Sequence, residues 1–227
     1  MNLFDILGPV MVGPSSSHTA GAVRIGWMTQ KLLGEQPVEA KILMYGSFAA
    51  TGKGHGTDRD LVAGLLGMRP DDERIPDSFE IARKMGLSYS FGIANLTSAH
   101  PNSVVLEVKG KSGRTLEVQA CSLGGGRIMI NRLDGLDVNC SCEIPTLIVH
   151  NLDQPGHVAE VTSMLAHKSV NIANMSLYRD KRGGSAVMVV EMDQPLPKES
   201  LEWLEHLEGI VKVTYINVTE GEEDDVL

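Results

Sequence analysis

With 227 residues, 42% of them hydrophobic, the chain is long enough for one large or two small domains, each able to bury a core. A formal net charge of −9 excludes the basic surface that phosphate neutralisation requires, so no nucleic-acid partner is expected. No apolar run approaches the roughly 20 residues needed to span a bilayer, and the N-terminus lacks the basic region and apolar core of a secretory signal. The expectation is a cytoplasmic protein with no membrane partner, in which three cysteines, an odd number, stay reduced.

In chain order, Leu3–Val12 is apolar and broken by Gly8-Pro9 and Gly13-Pro14, and reads as an extended arm or short helix. After Ser15-Ser16-Ser17, apolar residues at 20, 23 and 27, flanked by Ile25, Met28 and Leu32, predict a helix ending at Gly34. Pro37–Phe48 reads as a strand and Thr51–Gly56 as a glycine-rich turn. Thr57 or Asp58 can cap a helix running through Leu61, Val62, Leu65 and Leu66. Asp77 and Glu80 stand at capping-box spacing before a short helix ending at Gly86.

Between Leu87 and Leu133 the pattern changes to strands. Gly110-Lys111-Ser112-Gly113 joins two of them as a hairpin, and Gly124-Gly125-Gly126 marks a bulge or a close ligand approach. Periodicity weakens over Asp134–Pro145, and a strand, helix, strand, strand, helix, strand series follows. The predicted organisation is a first domain over 1–135, a linker over 136–145, a second domain over 146–219 and an acidic tail over 220–227. The fold class is α+β, with the second domain a ferredoxin-like βαββαβ sandwich.

Three polar segments stand out in the first domain. Ser15, Ser16 and Ser17 sit before a helix start, where free N–H groups and the positive dipole end suit a carboxylate or phosphate, although by themselves a serine-rich N-cap is the plainer reading. Lys53, His55 and Thr57 lie among glycines that let a backbone approach a ligand, and a histidine there has the pKa range for proton transfer; a flexible surface turn explains the loop equally well. The spacing is not that of a Walker loop. His100-Pro101-Asn102-Ser103 is a site segment or a strand start, followed by Ser122-Leu123-Gly124-Gly125-Gly126.

The D-x-P-G string at 153–156, the run Asn171-Ile172-Ala173-Asn174-Met175 and the βαββαβ order resemble an ACT domain. That resemblance implies side-by-side self-association and an effector site near the Pro-Gly turn, with Asp153, Gly156 and Asn171 as candidate contacts. Over the whole chain, G-P-S-S-S-H-T-A-G (13–21), Y-G-S-F-A-A-T-G-K-G-H-G-T-D (45–58), H-P-N-S (100–103) and S-L-G-G-G (122–126) resemble the beta chain of iron–sulfur L-serine dehydratases. The first domain is also similar to the allosteric substrate-binding domain of some phosphoglycerate dehydrogenases.

The resemblance implies a lyase that converts L-serine to pyruvate and ammonia, a route of amino-acid degradation feeding gluconeogenesis. It further implies a [4Fe-4S] cluster on a separate alpha subunit, and a heterodimer active only with that subunit. His55, with His18 and Lys53, is then expected in proton transfer, and Ser15, Ser16, Ser17 and Thr57 in holding the substrate. No metal ligand is expected in this chain, because cluster and H-x-x-x-H or C-x-x-C spacings are absent and Cys121, Cys140 and Cys142 read as structural. The absence of such spacing also weakens a stand-alone metal hydrolase built on His18, His55 and His100. The alternative from another class is a non-catalytic regulatory protein binding an amino acid or small anion.

Overall fold

The computed structural model describes residues 10–217, so the acidic tail and most of the expected N-terminal arm lie outside the described residues. The chain divides into two compact units, Met1–Asp134 and Gly135–Leu227.

In the first unit a π-helical turn, Ser16–Ala20, runs into α1 (Gly21–Leu33). Helix α1 ends where Gly34 turns left-handed (φ 79°) and donates its N–H to the Gln30 carbonyl. Strand β1 (Pro37–Met44) stops short of Phe48, and the expected glycine-rich turn is instead a helix, α2 (Gly46–His55). Glycine's low helix propensity is overridden by packing here. Phe48 is fully buried, and Gly52 lies so close to Met44 that a Cβ would sit 3.3 Å from its Sδ.

Gly56 ends α2 and serves as N-cap of α3 (Thr57–Leu65), a role expected of Thr57 or Asp58. In α4 (Ser78–Met85) Asp77 makes no side-chain cap, and Glu80 pairs with Lys84 at 2.8 Å instead.

Strands β2 (Ser88–Ile93), β3 (Ser103–Gly110), β4 (Thr115–Gly124) and β5 (Arg127–Leu133) join β1 in the order β2-β1-β3-β4-β5. Only β2–β1 is parallel among these pairs. Period-two burial fixes the faces: Ile42, Leu106, Val118 and Ile130 are buried, whereas Lys41 and Glu107 pair in solvent at 2.8 Å. Gly124 ends β4 just past a register irregularity between Ser122 and Gly124, where the sequence places a bulge, and Gly125 and Gly126 make the tight turn to β5, all three at positive φ.

Helices α1 and α3 cross with their backbones in contact, because Gly26 and Gly64 meet at the crossing. A Cβ on Gly64 would lie 2.1 Å from the Val23 carbonyl oxygen and 2.6 Å from the Trp27 nitrogen. Backbone atoms cannot yield as a side-chain tip can. Gly64→Ala is therefore expected to destabilise the chain by about 1–3 kcal/mol or more. Urea unfolding should show this as a lower midpoint at an unchanged m-value.

In the second unit Leu136–Cys140, expected in a linker, is strand β6. Its only signal is the burial of Val138 and Cys140 between exposed neighbours, too short a pattern to read from sequence. Strand β7 (Thr146–Leu152), α5 (His157–His167), β8 (Ile172–Arg179), β9 (Ser185–Met192), α6 (Lys198–Glu205) and β10 (Ile210–Ile216) follow. The order β10-β7-β9-β8, all antiparallel, is the ferredoxin-like arrangement read from the sequence. Leu147, Val149, Val161, Leu165, Met188, Val190 and Leu204 fill the space between sheet and helices.

Candidate active site

The four quoted motifs of the first unit are linked by hydrogen bonds and close backbone approaches. His18, on the π-helical turn, meets the first turns of α2: its Nε2 lies 3.0 Å from Ser47 Oγ and 3.2 Å from Thr51 Oγ1. Its Nδ1 lies 3.2 Å from Ser17 Oγ, and Phe48 packs edge-on with ring centroids 5.4 Å apart. The Thr51 hydroxyl donates its single proton to the Ser47 carbonyl at 2.9 Å, so towards His18 it can only accept. This assigns the neutral ring as the Nε2–H tautomer and leaves Nδ1 as the acceptor for Ser17.

Glycines bring the segments together. Gly46 adopts φ 57°, and a Cβ there would lie 2.4 Å from the Pro101 carbonyl oxygen. That close approach lets the Ser47 N–H donate to the same carbonyl at 2.7 Å and aims α2 at His18. On the other side Ser16 Oγ accepts the Gly125 N–H at 3.2 Å, and the Ser16 carbonyl accepts the Gly126 N–H at 3.3 Å. Ser15 Oγ caps the turn by accepting the His18 N–H at 3.1 Å. Ser15 and Ser16 each accept with a lone pair, and a hydroxyl that accepts retains its own proton to donate.

Behind this surface sits a buried acid. Asp60, on α3, is 4% exposed, and its Oδ2 has no hydrogen-bond partner among the described residues. Burial pushes its pKa up to about 8, helped by the charge of Asp58 and opposed by the neighbouring Thr19 hydroxyl and by Arg59. Sequence reasoning missed Asp60, although it belongs to the buried stripe Thr57, Asp60, Leu61 and Gly64 of α3.

The expected site residues are placed unevenly. His18 and Ser15–Ser17 come together. Ser47 and Thr51, inside the quoted motif but not singled out, join them; their spacing of four shows itself only once 46–55 is read as a helix. Positions 53 and 55 lie on α2, and the side chains of Lys53 and His55 are outside what is described. Thr57 is fully buried, since it begins the inward stripe of α3, and it does not face an open surface. His100 acts locally: its Nδ1 accepts the Asn102 N–H at 3.1 Å, and its carbonyl accepts the Ser103 hydroxyl at 2.6 Å.

In the second unit Asp153 Oδ2 accepts from the Gly183 N–H at 2.9 Å and from Arg179 at 3.0 Å. These donors hold its carboxyl below the usual range. Gly156 caps α5 at φ 112°. Asn171 donates to Asp193 at 2.6 Å and stands at the opposite end of the sheet, because Ile172 pairs with Met192 whereas Leu152 pairs with Ser185. A strand's length, roughly 20 Å, separates it from Asp153. The three expected effector contacts are not brought together within one chain.

The serine dehydratase beta chain family matches residues 2–90, and the ACT domain family matches 145–207. The chain is 40% identical over 215 residues to the probable L-serine dehydratase beta chain of Bacillus subtilis (strain 168), covering 95% of this chain and 97% of that one. The chain belongs to the L-serine dehydratase beta-chain family. It is also 37% identical over 216 residues to the L-serine dehydratase beta chain of Peptoniphilus asaccharolyticus, again covering 95% and 97%. A D-3-phosphoglycerate dehydrogenase of Bacillus subtilis is 24% identical over 199 residues, which is 87% of this chain and 37% of that protein.

The cysteines of this beta chain do not fit an iron–sulfur cluster. A cluster is held by several thiolates gathered at one place. Among the described residues no three cysteine, histidine or acidic side chains are gathered so as to hold a metal. Among the described residues no helix is long and apolar enough to cross a membrane.

Proposed function

We propose that this chain completes the active site of a two-chain L-serine dehydratase, which eliminates water from L-serine and releases pyruvate and ammonia. The supporting observation is the His18 ring, held by hydroxyls from Ser17, Ser47 and Thr51 where the serine segment meets the start of α2. Removing the weakly acidic alpha proton requires a positioned base. The Nδ1 lone pair of His18 accepts from Ser17, and as the base it would exchange that hydroxyl for the substrate's alpha proton. Ser15 and Ser16 would hold the substrate carboxylate with hydroxyl protons and the positive helix end, while Ser17, whose proton goes to His18, adds its backbone N–H at the helix start. His55 and Lys53 are assigned supporting roles on α2, where position 55 continues the spacing of four set by Ser47 and Thr51.

The cluster belongs, in this reading, to a separate alpha chain in the cytoplasm, because no metal-holding group of side chains is found among the described residues here. The ACT domain self-associates through a sheet edge, and Asp153 and Gly156 mark its effector turn. Anaerobic mixing with the alpha chain, followed by a pyruvate assay on L-serine, tests the proposal. Pyruvate formed only by the mixture supports it.

One observation favours a second reading. The long match to a phosphoglycerate dehydrogenase, an enzyme of different name and chemistry, suits a shared small-molecule-binding module without chemistry of its own. That reading expects the alpha chain to form pyruvate alone, and the isolated beta chain to bind L-serine and set the rate.

A further inference from the structure

Cys140 ends β6, and Cys142 follows two residues later, with both side chains fully buried. Along an extended strand such a pair shares a face with Cα atoms about 6.6–6.8 Å apart, at the outer limit for a disulfide. Here the strand ends at Cys140, and Cys142 adopts φ 52°, a left-handed conformation that costs free energy in any residue with a Cβ. The two Sγ atoms consequently touch at 3.1 Å. The segment is pinned around them: Ser141 donates to Glu191 on β9 at 3.0 Å, the Glu143 N–H donates to Ser141 Oγ at 3.3 Å, and the Asn139 N–H donates to the Tyr178 hydroxyl at 3.1 Å. Two thiols held in contact by backbone strain and by hydrogen bonds from another strand are prepared for joining.

We infer that Cys140 and Cys142 form a redox-active dithiol whose oxidised product is an intramolecular disulfide. This rests on the geometry of the second unit and is independent of the catalytic reading. Burial selects the oxidant class, since only a small, uncharged molecule such as hydrogen peroxide reaches a fully covered thiol. One thiol gives up its proton, the thiolate attacks the peroxide, the O–O bond breaks, and a sulfenic acid forms while the departing hydroxide takes the released proton and leaves as water. The second thiol then displaces the sulfenic oxygen, the S–S bond forms and water leaves. In sum, two thiols and one peroxide give one disulfide and two waters. Cys121 is the internal control: it lies in the other unit, buried, with its thiol pKa raised by desolvation.

The test uses the full chain. After peroxide treatment, unfolding and alkylation, two of the three thiols should be lost, and the tryptic peptide 133–168, which carries both residues, should be lighter by two hydrogens. Dithiothreitol should restore both thiols. Cys142→Ser should abolish the two-hydrogen loss, leaving Cys140 alkylated or carrying oxygen. Three alkylated thiols after treatment of the wild-type chain, or added oxygen on 133–168 in place of the hydrogen loss, would overturn the inference.

Discussion

Replacing His18 with alanine is expected to lower the turnover of the assembled enzyme by about 10²–10⁴-fold, the span typical of losing a positioned acid–base group. The effect should fall on kcat, with assembly intact, because the half-buried imidazole is held mainly by three hydroxyls and meets the core only at the edge of Phe48. Its neighbours grade the result. Thr51→Ala and Ser47→Ala each remove one hydrogen bond to the ring, and a single such bond is worth about 1 kcal/mol, or roughly fivefold. Thr51→Ser keeps the hydroxyl and should restore turnover. Steady-state kinetics of the four variants, with complex formation checked by gel filtration, measures this. A His18→Ala enzyme within twofold of wild type would remove the histidine from the mechanism.

Asp60→Asn is expected to make the chain more stable at neutral pH. The folded pKa of Asp60, about 8, lies above the ordinary carboxylate value of 3.8 found in the unfolded chain. Between those values the unfolded chain loses the Asp60 proton while the folded chain keeps it. Stability from this group is complete below pH 4 and is lost as pH rises, by up to about 1.4 kcal/mol per pH unit, until the folded form also ionises near pH 8. Asparagine cannot ionise. The gap between variant and wild type, followed by urea midpoints from pH 4.5 to 8.5, should therefore widen with pH and then level off. Parallel profiles would show that Asp60 is ionised in the folded chain.

Much of this molecule is legible in its sequence where one physical signal dominates. Helix α1 is fixed by its 3–4 spacing and by Gly34, and the ACT fold by alternating strands separated by amphipathic helices. Where two signals compete, the reading fails. Glycines at 52, 54 and 56 argue for a turn, yet the burial of Phe48 and the contact of Gly52 with Met44 make 46–55 helical. That one change hid the pairing of Ser47 and Thr51 with His18, which depends on helical spacing. Asp60 was hidden because a charged residue reads as solvated until its stripe is seen to face inward. Asn171 was grouped with Asp153 through the resemblance, and only strand register shows that they occupy opposite ends of the sheet.

The most direct test of the central claim is a titration of the alpha chain, anaerobically and at fixed concentration, with this beta chain while pyruvate release from L-serine is followed. The account predicts no pyruvate at zero beta chain, a rise to a plateau at a fixed ratio, and a plateau about 10²–10⁴-fold lower with the His18→Ala chain. Full pyruvate production by the alpha chain alone, unchanged as the beta chain is added, would contradict it.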